Sequence, residues 1–178
     1  MRFPISLLLL GVLAVNSSQS QAAPARKIVP KGAVSFTSKV QGFAVWFPVK
    51  PVQRKRVISS QKGKAFTIFE TEAGSKAIAY DVLVIAKSPR MGSLNAIQQE
   101  ISKSFSAKLQ KREEILLDDF PGREVKLGWS FGRGTVRARF YATPKMSYVV
   151  CAVGPKDVMK NQAAQITRVF DSFRILPQ

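Results

Sequence analysis

The residues that could break bonds are few, and each lacks a necessary companion. Gly128-Trp129-Ser130-Phe131-Gly132 matches the G-x-S-x-G pattern of a hydrolase nucleophile elbow, which places a serine on a sharp turn between a strand and a helix. Here a second strand pattern follows instead, and the chain contains no histidine to serve as the general base of a serine relay. Cys151 is the sole cysteine and lies between Val150 and Ala152 in the most apolar stretch. That setting predicts a small buried side chain rather than a nucleophile, whose thiolate needs a nearby positive charge or a helix N-terminus. It also excludes an intrachain disulfide.

Carboxylates fare no better. Asp118-Asp119 and Glu113-Glu114 are adjacent hard oxygen ligands without calcium-loop spacing, and zinc-type spacing of cysteine and histidine is absent. Glu70 and Glu72 share one strand face about 7 Å apart, which charge on an exposed strand explains. The sequence therefore predicts no enzyme, no metal and no cofactor.

What remains is positive charge. The chain has 178 residues, 28 lysines and arginines against 11 acids, and a formal net charge of +17. The candidate anion- or partner-binding residues are Arg54, Lys55, Arg56, Arg123, Arg137 and Arg139. The first three are consecutive, so a strand divides them between its faces; Arg137 and Arg139 share a face, and Arg123 lies on a neighbouring strand. The ligand would be an acidic protein surface, lipid headgroups or another polyanion. Nucleic acid is not expected, because no recognition motif appears and the N-terminus carries an export signal.

That signal is a positive Arg2, an apolar run over residues 5–15, a polar exit, and the small residues Ala23-Pro24-Ala25. The run is well short of the ~20 residues that span a bilayer, so cleavage near Ala25 is expected rather than anchoring. Losing residues 1–25 removes one base and no acid, which takes the formal net charge from +17 to +16. The expected organisation is a signal peptide over 1–25, a flexible basic lead-in over 26–34, and one domain over 35–178. The product would be exported: periplasmic, secreted or thylakoid-lumenal.

The elements that must position these charges follow from periodicity. Residues 134–153 read as a β-hairpin: Val136, Ala138 and Phe140 alternate with Arg137, Arg139 and Tyr141, while the returning arm is apolar on both faces. Thr143, Pro144 and Lys145 connect the arms. Arg139 falls on the polar face, and if its side chain is solvated there Arg139→Leu is expected to change stability by no more than about 0.5 kcal/mol. Further strands are expected over 42–48, where Pro48 ends the strand, and over 52–59, 65–71, 76–86, 109–117 and 123–131. Ser93 caps a helix with the stripe Leu94, Ile97, Ile101 and Phe105. A second helix begins at Pro155 and carries Met159, Ala163, Ile166, Phe170 and Phe173. Two strands apolar on both faces must each be covered twice. An α+β fold follows: a largely antiparallel sheet of about six to eight strands with helices on both faces.

Several strings carry a family resemblance. GFAVWFP closing residues 36–48, the turn Phe120-Pro121-Gly122-Arg123, the pair GTVRARFY and SYVVCAVGP, and the closing VFDSFRIL together resemble the PsbP-like family. Its best-known member is the extrinsic photosystem II subunit of the thylakoid lumen. The resemblance spans residues 36–176 and implies a PsbP-like α/β/α sandwich with an exported, non-catalytic, partner-binding or assembly-support role. A photosynthetic complex is among the partners it implies. Without histidine, any site that the family builds from that residue has no counterpart here. The alternative function is a carrier of a small apolar ligand, with a pocket between sheet and helix lined by Trp46 and Trp129.

Overall fold

A computed structural model describes residues 32–59, 65–74, 77–86, 93–129 and 134–177, with the side chains of 56–59 and 65–68 outside that description. The expected signal peptide and most of the lead-in also lie outside the described residues.

The hairpin expected over residues 134–153 lies at the middle of the main sheet. Strands β8 (Gly134–Ala142) and β9 (Met146–Pro155) pair antiparallel, with Ala138 opposite Cys151 and Ala142 opposite Ser147. The Thr143 hydroxyl accepts from the Met146 N–H at 3.0 Å and donates to its carbonyl at 2.9 Å, which pins the connection. On the outer side of β8 follow β7 (Phe120–Trp129) and β6 (Ala107–Leu117). On the other side of β9 come β5 (Ala79–Ala86), β4 (Ala65–Gly74) and β3 (Val52–Ser59). The result is one seven-stranded antiparallel sheet, ordered β3-β4-β5-β9-β8-β7-β6, within the expected range.

Both faces of this sheet are covered. Helix α1 (Leu94–Ser104) packs its Ile97 and Ile101 on one face, against Val125, Leu127, Val136, Ala138, Phe140, Val149 and Cys151. Its start is fixed as expected: the Ser93 hydroxyl accepts from the Ala96 N–H at 3.1 Å. The opposite face is covered by α2 (Lys156–Asn161) and α3 (Ala163–Ser172), through Met159, Ile166, Val169 and Phe170. The sequence predicts one helix here. The structure interrupts it at Gln162, although the Gln162 N–H still bonds to the Val158 carbonyl and the Ile166 N–H to that of Gln162. The apolar stripe therefore stays in phase across the break, while Ala163 is exposed.

A second sheet was not foreseen. Strands β1 (Val34–Ser38), β2 (Phe43–Phe47) and β10 (Arg174–Ile175) form it, with β2 in the middle, on the α3 side of the large sheet. Phe173 is the junction. Its ring stacks on Tyr141 of the large sheet at 5.6 Å and on Phe43 of the small one at 5.9 Å. The architecture is an α+β sandwich with helices on both faces of the main sheet.

Candidate functional site

Alternation along β8 sends Val136, Ala138 and Phe140 into the α1-side core and leaves Arg137 and Arg139 on the α3 side. Cross-strand pairing then decides their partner. Glu124 of β7 sits opposite Arg139, two residues along the same face from Lys126, which is opposite Arg137. Arg137 and Arg139 each donate an Nε–H to a different Glu124 carboxylate oxygen, both at 2.6 Å. Their remaining donors reach helix α3: Arg137 bonds Thr167 at 2.8 Å and Arg139 bonds Asp171 at 2.8 Å. Both guanidinium groups lie over the Phe170 ring, 5.3 and 5.4 Å from its centre.

Burial works to raise the Glu124 carboxyl, but hydrogen bonds and charge from the two arginines outweigh it and hold that group below the usual carboxylate range. Arg139 is likewise opposed by burial and held protonated by Glu124 and Asp171. The condition that Arg139 is solvated is thus not met. Its side chain is 17% exposed and clamps α3 to the sheet.

Arg123 lies on the other face, because its position on β7 matches that of Val125 and Leu127. Only 8% exposed, it bonds Glu114 at 2.9 Å, Asn95 at 2.7 Å and Gln98 at 3.0 Å, tying α1 to the sheet. Arg54 and Lys55 are exposed on edge strand β3 and divide between its faces as expected. Arg54 meets Glu72 at 3.4 Å, and the Lys55 ammonium lies 5.9 Å from the centre of the Phe69 ring. Arg56 occupies the same strand, opposite Ile68, with its side chain outside the described residues. The six candidates therefore do not converge on one patch.

A basic row that sequence reading missed does converge. Lys111 of β6 stands opposite Lys126 of β7, and Lys126 stands opposite Arg137 of β8. Like charges directly across strands are unfavourable unless something compensates them. Lys111 has Glu113 at 2.5 Å and Arg137 has Glu124, whereas exposed Lys126 has no ion-pair partner among the described residues. The three bases and both glutamates line an open cleft of about 270 Å³. The signal was hidden because the β-bulge between Leu109 and Lys111 shifts the register by one residue.

The remaining candidates settle simply. Cys151 is 1% exposed, and burial, with Asp81 nearby, pushes its thiol well up, so it is the small core side chain expected. Ser130 lies outside the described residues, but the flanking elements are both strands, not the strand and helix of a nucleophile elbow. Among the described residues, no group of three or more histidines, cysteines, aspartates and glutamates could hold a metal ion. Trp46 and Trp129 do not share a pocket. Trp46 is buried on the α3 side, whereas Trp129 lies against Gly134, beyond Val125 and Leu127 on the α1 side.

No protein-family model matches the chain, and no curated protein matches its sequence. Solved structures do match. Cyanobacterial PsbP (CyanoP) from Synechocystis sp. PCC 6803, a solution structure, superposes with a TM-score of 0.58 at 10% identity, over 86% of this chain and 97% of that one. The fold is PsbP-like. A protein of unknown function from Pseudomonas aeruginosa superposes over 82% of this chain and 99% of its own, at 10% identity and a TM-score of 0.48, and carries no argument. At such identities the likeness is one of fold alone. No helix among the described residues is long and apolar enough to cross a membrane.

Proposed function

We propose that the chain is an exported, non-catalytic binding or assembly-support protein that docks through a basic exterior on an anionic protein or membrane surface. The observation that carries this reading is the division of labour among its cations. Arg123, Arg137 and Arg139 are spent inside the fold on Glu114, Glu124 and Asp171. The exposed lysines, Lys126 at the centre of its basic row among them, face outward and supply the attraction. Arg54, Lys55 and Arg56 add a second basic stretch at the far sheet edge. Export of a chain with formal charge +16 would place it among envelope or lumenal surfaces rather than nucleic acid. A photosynthetic complex is one partner of this kind.

Binding of the mature chain to vesicles rich in acidic lipid, and to envelope extracts, tests the reading as salt is raised. Attraction between exposed charges is screened over about 8–10 Å near physiological ionic strength, so binding should weaken steeply with salt. Lys126→Glu should weaken it further at low salt. Affinity indifferent to both would refute docking by charge, and turnover of a substrate by the purified chain would refute the non-catalytic role.

A further inference from the structure

We propose that the cleft between the β8–β9 turn and the C-terminal tail binds a single-chain amphiphile, an apolar body with an anionic head such as an alkyl carboxylate. This site is separate from the basic row and does not depend on the docking reading. The cleft measures about 380 Å³, within the ~300–1,000 Å³ usual for small-molecule sites. Phe120, Pro144, Tyr148, Ile175, Leu176 and Pro177 make its walls apolar.

The walls are held in place before any ligand arrives. Thr143 is locked by its two bonds to Met146, and the Leu176 N–H bonds to the Gly42 carbonyl at 2.9 Å, which fixes the tail. The Tyr148 hydroxyl donates to the Gln41 carbonyl at 2.9 Å and so is committed to the small sheet. Of the polar lining groups, this leaves the ammonium of Lys145, exposed at the turn and without an ion-pair partner among the described residues. One cation beside an apolar slot suits a ligand with one anionic end and a hydrocarbon remainder. A small polar anion would leave the slot unfilled, and a neutral alkane would leave the cation unmatched.

Titration of the mature protein with dodecanoate below its micellar concentration, followed calorimetrically and by NMR, tests the assignment. One saturable site is expected, with chemical-shift changes centred on Lys145, Tyr148 and Leu176. Lys145→Glu should weaken dodecanoate about tenfold or more while leaving dodecanol unchanged, and Leu176→Asp should weaken both. Lys126→Glu, which lies outside this cleft, should leave dodecanoate affinity within about twofold, which separates this test from that of docking. Absence of saturable binding, or saturable binding that neither substitution weakens, would overturn the proposal. Dodecanol binding as tightly as dodecanoate would overturn the role of Lys145.

Discussion

Arg139 reaches across from β8 to give its Nε–H to one carboxylate oxygen of Glu124 at 2.6 Å, leaving the other oxygen to Arg137. One carboxylate thus anchors two guanidinium groups that also hold helix α3 through Thr167 and Asp171. Removing it with Glu124→Ala leaves two largely covered cations facing one another. The expected loss is about 2–3 kcal/mol, below the ~3–5 of a fully buried pair and above the ~0–1 of a surface pair. Arg139→Leu should cost about 1–2 kcal/mol, since it removes the bonds to Glu124 and Asp171 while Glu124 keeps Arg137. Urea denaturation midpoints measure both, and a loss under about 0.5 kcal/mol for Glu124→Ala would show that the clamp contributes nothing.

The same carboxylate sets a pH dependence. Its folded-state pKa lies below the unfolded value, so its contribution is complete above the ordinary glutamate range and is lost as pH falls through the folded value. Stability should therefore decline on acidification, and Glu124→Gln should flatten part of that decline. Denaturation midpoints collected from pH 7 down to strongly acid solution check this. Parallel curves for the two proteins would exclude Glu124 as a source.

Gly122 offers a steric test of the face opposite α1. A Cβ there would lie 2.6 Å from a ring carbon of Tyr141 and 2.7 Å from the Phe140 carbonyl oxygen, which is backbone and cannot yield cheaply. Gly122→Ala should cost about 1–3 kcal/mol. Gly74→Ala is the control: its Cβ would meet nothing nearer than 3.6 Å, and a change within about 0.5 kcal/mol is expected. Thermal denaturation of the two variants separates a specific clash from a general aversion to side chains in strands.

Cys151 should be silent to thiol reagents in the native protein and react fully once unfolded. It is buried and its thiol is pushed well up, so both access and thiolate are lacking. Rapid native-state labelling would show that β9 is open on one side.

The sheet was legible because the strongest local patterns coincided with its centre. Alternation on β8 and the doubly apolar run of β9 fixed faces and register, and Ser93 with its stripe fixed α1. The small sheet was not legible: β10 is two residues long, and its pairing with Ala44 and Phe43 spans nearly the whole domain. Nor was the break at Gln162, where an unbroken stripe conceals a local change of backbone. For the candidate site, parity alone placed Arg137 and Arg139 together. It also carried the information that Arg123 faces with Val125, but the partners Asn95 and Gln98 come from a helix whose docking no spacing reveals. Glu124 was overlooked because its importance appears only when β7 is aligned with β8. That Arg139 is not solvated was hidden for the same reason.

The placement of β9 beside β5 has a consequence for how the molecule is made. Leu83 pairs with Val149, so the early meander of β3 to β5 keeps a bare inner border until the closing stretch of the polypeptide has emerged. Contacts between such distant positions form slowly. The sheet therefore locks only when the last quarter of the chain arrives, with that segment acting as the bolt.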